Sequence, residues 1–303
     1  MPPRGKKMER ADSIKLDSFE LSIGDIADAD LDALHALSMS VGWPHRAEDW
    51  QLARELGHGI VARDAIGRVL GSAMWFDHAP DFTTFGLVIT LPRLQMLGAG
   101  TWLMNHLLAQ TGSRAIGLNA TRSARRLYKS LGFAPERTVY QCQGDAIATP
   151  QGTLPSGAAL RSLTRDDLDE IAALDRAAYR ADRTSVLARL VELSKGMALV
   201  RGDRIAAYSL CRRFGRGHLI GPVVAASDDD AIAVTRPHVA DHAGAFLRID
   251  TRQKSGSFAE FVAQCGLPVY DTVTSMSLRR PWLIDDAGGE KPIIYGLASH
   301  ALG

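Results

Sequence analysis

The stretch Leu87-Val-Ile-Thr-Leu-Pro-Arg-Leu-Gln-Met-Leu-Gly-Ala-Gly-Thr101 decides how this chain folds. Its first part is apolar and β-rich, the pattern of a buried strand. Pro92 interrupts the run, and Gln95-Met96-Leu97-Gly98-Ala99-Gly100 follows. Beyond the glycines, Leu103 pairs with Leu107 and Met104 with Leu108 at helical spacing, and Gly112 stands where a helix C-terminal glycine is expected. The segment predicts strand, glycine-bearing loop, helix. Such a loop suits an anion, because the first N–H groups of a helix lack intrahelical partners and the helix dipole adds positive charge there. Two common phosphate loops do not fit. Gly100 is followed by Thr101-Trp102 rather than Lys-Ser/Thr. A dinucleotide fingerprint wants a small residue at position 103, which is Leu, and an acid near position 120, which is missing.

At 303 residues the chain suggests two domains of about 150 residues each. A hydrophobic content of 46% is ample for ordinary cores, and a net charge of +1 argues against nucleic-acid partners or an anionic membrane surface. Cys142, Cys211 and Cys265 are far apart and form no zinc spacing, so no metal is expected and reduced thiols in the cytoplasm are. Residues 1–16 begin as a basic segment with no apolar run behind it, which predicts a disordered tail. No run of about 18 apolar residues occurs, so no membrane span is expected.

Within 17–148, a strand over 18–26 precedes a helix over 28–40 that Pro44 closes, and a second helix follows over 48–56. The Trp43-Pro-His45 loop between them puts bulky groups where either a substrate pocket or a capped core would use them. A hairpin turning at Ile66-Gly67-Arg68 leads to the polar loop Asp77-His78-Ala-Pro-Asp81 and then to the central strand. After the glycine loop and its helix come a short strand over 115–119 and a helix over 122–131, which carries Thr121-Arg-Ser-Ala-Arg-Arg-Leu-Tyr-Lys-Ser-Leu-Gly-Phe133 and ends at Gly132.

Gln95-x-x-Gly98-x-Gly100 after a strand resembles the acyl-CoA loop of the GNAT N-acetyltransferase superfamily. Ala124, Leu127, Tyr128, Gly132 and Phe133 match a second pattern of that family, which departs at Thr121, where Asn is more usual. The resemblance implies an α/β fold with a mixed, mostly antiparallel sheet flanked by helices, and acetyl-CoA as co-substrate. It also implies that the amides of Gln95, Met96, Leu97, Gly98, Ala99, Gly100 and Thr101 hold the CoA pyrophosphate, while Leu87, Val88 and Ile89 align the pantetheine arm. A thioester oxyanion wants preorganised donors, which the backbone around Val88 and Ile89 can supply. The leaving thiolate wants a proton, and Tyr128, a phenol with pKa about 10 against about 8.5 for a thiol, is protonated at neutral pH. For the base or acceptor contacts, Trp43, His45, Glu48, Asp77, His78 and Asp81 are the candidates, and relay through water serves equally.

Residues 149–159 read as a linker rich in turn formers, and 160–303 repeats the order of elements. Phe261-Val-Ala-Gln-Cys-Gly-Leu267 overlays Leu127-Tyr-Lys-Ser-Leu-Gly-Phe133. In the copy, Asp228, Asp229 and Asp230 replace the glycine loop and would repel a pyrophosphate, and Val262 replaces Tyr128. Nearly the whole chain, including the closing Tyr295–Gly303, resembles bacterial two-domain GNATs with a degenerate second half. The expectation is a monomeric or homodimeric N-acyltransferase acting on a small-molecule amine. A CoA-sensing module without turnover is the alternative.

Overall fold

The computed structural model describes residues 12–16, 19–150, 152–283 and 291–303. Of the tail expected over 1–16, residues 1–11 lie outside that set. Its last part is instead an edge strand, β1 (Ser13–Leu16), paired antiparallel with β2 (Phe19–Asp25) because Leu16 finds a buried position beside it. The first half then runs α1 (Leu31–Met39), α2 (Ala47–Leu56), β3 (His58–Asp64), β4 (Val69–Asp77), β5 (Phe82–Thr90), α3 (Ala99–Gln110), β6 (Ala115–Ala120), α4 (Arg125–Ser130) and β7 (Ala134–Asp145). The second half repeats this as β8 (Ala158–Ser162), α5 (Leu168–Tyr179), α6 (Thr184–Leu193), β9 (Lys195–Arg201), β10 (Arg204–Phe214), β11 (Gly217–Ala225), α7 (Asp228–Asp241), β12 (Phe246–Thr251), α8 (Ser257–Gln264) and β13 (Val269–Leu278). One further strand, β14 (Ile293–Gly296), follows.

Local chemistry sets the helix ends. Asp30 caps α1 by accepting from the amides of Asp32 and Ala33, and Asp49 closes the start of α2 by accepting from the Arg46 amide at 2.9 Å. Trp50 is buried where α2 packs on α1, and its indole N–H donates to Ser38 Oγ at 3.2 Å. The helix expected over 122–131 is shorter, since Thr121 to Ala124 form a turn before α4 begins.

Each half contributes a mixed, mostly antiparallel stretch of sheet, and the two merge. The order is β1-β2-β3-β4-β5-β6-β13-β7-β12-β11-β10-β9-β8, with β14 on β11. The last strands of the two halves are exchanged. β13 lies antiparallel against β6, with Met276 opposite Leu118, while β7 lies antiparallel against β12, with Cys142 opposite Ile249. The exchanged strands also pair with each other, Val139 opposite Val273. Neither half therefore completes its own sheet.

The exchange makes a direct prediction. A protease site placed in the 152–157 linker and then cut should leave two fragments that co-elute at the size of the intact chain. Separation of the fragments without denaturant would mean that the exchanged strands do not hold the halves together.

Candidate active site

The site grows from the way β5 leaves its neighbours. β5 and β6 are parallel and paired only from Phe82/Ala115 to Phe85/Leu118. Past Phe85, β5 runs on to Thr90 with no strand on that edge among the described residues. On its other edge the register with β4 slips between Ser72/Ile89 and Met74/Gly86, so Leu87 and Val88 form a bulge. Leu87 sits at φ 51°, a left-handed conformation that a leucine adopts at a cost of about 1–2 kcal/mol. Ser72 Oγ donates to the Leu87 carbonyl at 2.8 Å and holds the bulge. The bulge interrupts the ladder with β4 at the same place where the β6 edge of β5 is unpaired.

The chain then crosses a short 3-10 turn, Pro92–Leu94, and enters the glycine loop. Leu94 and Ala99 are fully buried and anchor the loop from both ends. Between them, Met96 at φ 73° is 98% exposed and Gly98 has φ 95°. A glycine suits 98 for that angle, while at Gly100 the approach of α4 is close, a Cβ there standing 3.1 Å from Leu127 Cδ2. α3 begins with no side-chain cap and no acid in its first turn, so its leading amides face outward from Gly98. The Gln95 amide donates to the Thr90 carbonyl at 3.2 Å, so this side chain shapes the loop.

The second half carries the same bulge at Gly221 in β11, but its slot is filled. β11 pairs with β12 only from His218 to Ile220, and β14 then takes the free edge, with Val223 opposite Gly296. The start of α7 is equally occupied. Ser227 caps it, Asp228 accepts from the Phe258 amide and the Tyr295 hydroxyl, and Asp230 takes the Arg201 fork at 2.6 and 2.8 Å.

Beside the β5 bulge lies a cavity of about 300 Å³. The first half supplies Trp43, His45, Asp49, Leu87, Asn119 and Thr121, and the second half supplies Arg212, Phe214, Arg248, Ser299, His300 and Ala301. Gly86 lets the C-terminal segment approach, since a Cβ there would stand 2.4 Å from the Ala301 Cβ. That segment is clamped by Arg183, whose guanidinium donates to the carbonyls of Leu302 and Gly303 and forks onto Asp175. Asn119 donates to the His300 carbonyl at 2.8 Å, and the His300 ring stands 3.4 Å from Asp250. Burial opposes the charge on Asp250, but Arg248 and His300 keep its carboxyl below the usual range. The His45 ring packs edge-on against Trp43, Trp50 and Phe214, and its Nδ1 is buried without a partner among the described residues.

The residues singled out from sequence divide into groups. Trp43, His45 and Leu87 reach the cavity, Gln95 to Gly98 lie in the loop before α3, and Ala99 to Thr101 are its first turn. The structure does not bring Asp77, His78 or Asp81 to the cavity. Asp77 pairs with Arg114, Asp81 pairs with Arg280 at 2.7 Å, and His78 is buried against Thr84 Oγ1 at 2.9 Å. Glu48 is exposed on α2. Tyr128 is 6% exposed, packs edge-on against Phe133 in the core behind α3, and is not among the cavity-lining residues. Burial pushes its phenol above the ordinary value. Sequence reasoning missed Arg212, Arg248 and His300, which lie far from the first-half motifs along the chain. One signal existed: the alternation Tyr208, Leu210, Arg212 along β10 places an arginine on a core-facing row. Among the described residues no cluster of His, Cys, Asp or Glu is arranged to hold a metal ion, and no helix is long and apolar enough to cross a membrane.

Two family models, each described as an acetyltransferase (GNAT) domain, match residues 55–135 and 171–288. A Bacillus subtilis protein named uncharacterized N-acetyltransferase YitH is 26% identical over 268 residues, spanning 86% of this chain and 91% of that protein. Among solved structures, a Pyrococcus horikoshii protein is 18% identical with a TM-score of 0.74, covering 93% of this chain and 96% of that one. A tandem GNAT protein from the clavulanic acid biosynthesis pathway is 14% identical with a TM-score of 0.61, covering 85% of this chain and 98% of that one. At these identities the structural matches speak to fold.

His45 and His78 are held at about 4 and about 3, each chiefly by burial. Both are neutral in the fold, while the unfolded chain takes up protons below about pH 6.5. Stability is therefore full above that pH and declines as pH falls toward 4. The melting temperature should drop between about pH 7 and pH 5, and His78→Gln should make the drop shallower. An equally steep drop in the variant would exclude His78 as a source of it.

Proposed function

We propose that this chain, which belongs to the GNAT acetyltransferase superfamily as two such domains in tandem, uses its first half to acetylate a primary amine of a small-molecule or amino-acid-like acceptor. The observation that carries this reading is the unpaired edge of β5 beyond Phe85, set between the uncapped start of α3 and the cavity. The loop fits a pyrophosphate: the first amides of α3 have no side-chain cap, no acid stands in the first turn, and α4, which packs on Gly100 through Leu127, begins with Arg125 and Arg126, whereas the amides of Gln95 and Leu97 are taken by the carbonyls of Pro92 and Leu94.

Acetyl-CoA supplies the acetyl thioester. The amides of Met96 and of Gly98 to Thr101 hold the pyrophosphate, and the backbone of Leu87 to Ile89 aligns the pantetheine arm and polarises the thioester carbonyl. Tyr128, kept protonated by burial, gives its proton to the sulfur as the carbon–sulfur bond breaks. For the ammonium proton, His300 is the better placed of the two imidazoles lining the cavity, because Asp250 faces its ring, whereas burial makes His45 a weak base. The second half contributes one wall of the cavity and no second CoA site, since β14 and the carboxylates at α7 fill the equivalent places.

A binding-only reading draws on one observation, that Tyr128 does not line the cavity. Tyr128→Phe separates the two. A general acid contributes about 10²–10⁴-fold, so turnover should fall by about a hundredfold or more with acetyl-CoA affinity unchanged. Unaltered turnover removes Tyr128 from the mechanism.

Acetyl-CoA at about a hundred times its dissociation constant should add about 2.7 kcal/mol of stability and raise the melting temperature by a few degrees. Gly98→Glu, which forces a side chain onto a positive φ and a carboxylate onto the start of α3, should abolish that rise. Calorimetry should give one acetyl-CoA per chain. No rise in the unmodified protein at millimolar acetyl-CoA would defeat the enzyme reading.

A further inference from the structure

We infer that the cavity selects an amine whose other end carries an anionic group, and that Arg212 is the residue that anchors it. The amine end of this inference rests on the acetyl-transfer reading; the anion end stands on the charges in the cavity.

Arg212 is 4% exposed and lines the cavity. Its Nη2 donates to the Ala298 carbonyl at 3.1 Å and its Nη1 makes a long contact of 3.4 Å with the Arg213 carbonyl. Its Nε is buried with no partner among the described residues, and no carboxylate there is within ion-pair distance of its guanidinium. The nearby acids are already matched. Asp49 takes the Arg46 fork at 2.8 and 3.1 Å and the amides of Arg46 and Gly215, while Asp250 takes the Arg248 fork and faces His300. Arg46 pairs with Asp49 and Arg248 with Asp250, which leaves Arg212, of the buried cations lining the cavity, without a carboxylate partner among the described residues. Burial lowers it to about 10, so it remains charged at neutral pH.

A buried charge without a counter-charge is costly, and native proteins keep one where a ligand supplies the partner. The guanidinium offers donors in a planar fork that matches a carboxylate or phosphate in two parallel hydrogen bonds. Its Cζ lies over the Phe214 ring, 4.9 Å from the centroid. The cavity runs from Arg212 to Leu87 and Asn119, at the bulge where the thioester would lie, and its size suits a small molecule. One end thus meets the acetyl donor while the other meets a fixed cation.

The test is calorimetric titration of the full chain, saturated with CoA, with matched sets of amines: α- and ω-amino acids, their carboxamides, and aminoalkyl phosphonates of equal length. A charged hydrogen-bonded pair predicts that carboxylates, phosphonates or both bind about ten- to a hundredfold more tightly than the amides. The acid giving the larger ratio identifies the anion. Arg212→Gln should erase that ratio, and Arg212→Lys, which keeps the charge but loses the fork, should retain part of it. Amides binding as tightly as acids overturns the inference, as does a ratio that survives Arg212→Gln or the absence of binding by every acidic member at millimolar concentration. If Arg212→Gln does not fold, the unmodified protein and Arg212→Lys decide. Release of CoA thiol from acetyl-CoA, measured on the same sets, separates the two readings. Acid-selective binding without release keeps the anion site and removes the acetyl-transfer reading. Release from amides and acids alike does the reverse.

Discussion

The site depends on the exchange of β7 and β13. A sheet strand satisfies its backbone donors and acceptors only when a neighbour is present on each side. Here β6 obtains its second neighbour from the other half of the chain, and so does β12. The resulting continuous sheet fixes how one half sits against the other. It places the ends of β10 and β12, with Arg212 and Arg248, on the same cavity as the β5 bulge. Two domains joined only by a linker would leave that geometry free to vary, and a site shared between them would lose its shape.

Duplication gave both halves the same bulged strand beside a parallel partner, yet the two slots have different fates. In the first half, strain at Leu87 and Met96, an uncapped helix start and an exposed methionine are all kept around one unpaired edge. Such features cost stability and persist where function uses them. In the second half the corresponding edge pairs with β14, and the helix start is satisfied by Ser227, Asp228 and Asp230. The second half uses the same frame to pair its own edge, and part of its surface forms a wall of the cavity beside the β5 bulge.

Charge in the cavity follows a consistent logic. Buried carboxylates are matched by guanidinium forks, and the C-terminal segment is pinned by Arg183, itself matched to Asp175. Tyr208 adds a hydroxyl donor to Asp175, and Tyr179 donates to Leu302. The clamp holds Ser299 to Leu302 as a fixed side of the cavity, which explains why His300, on an otherwise irregular segment, has a defined position between Asn119, Arg248 and Asp250. Arg212 is the departure from this matching.

The sequence by itself determined the repeated order of elements, the strand–loop–helix at 87–110 and the loss of the loop in the second half. Those properties reside in local spacing: glycines where φ must be positive, apolar residues at helical or alternating intervals, and three consecutive acids at one helix start. It also singled out Trp43 and His45, because bulky groups in a short interhelical loop are locally anomalous. Other features could be decided only in three dimensions. Asp77, His78 and Asp81 look available in a polar loop, yet Arg114 and Arg280 claim the two acids from distant positions and Thr84, on the strand that follows, takes His78 into the core. Arg212, Arg248 and His300 converge on the first half only because β13 crosses into its sheet. Strand exchange leaves the same hydrophobic alternation as an unexchanged fold, since each strand buries the same faces in either arrangement. Periodicity therefore reports that a strand forms and which face is buried, while the identity of its neighbour, and with it the composition of the cavity, is set by the tertiary structure.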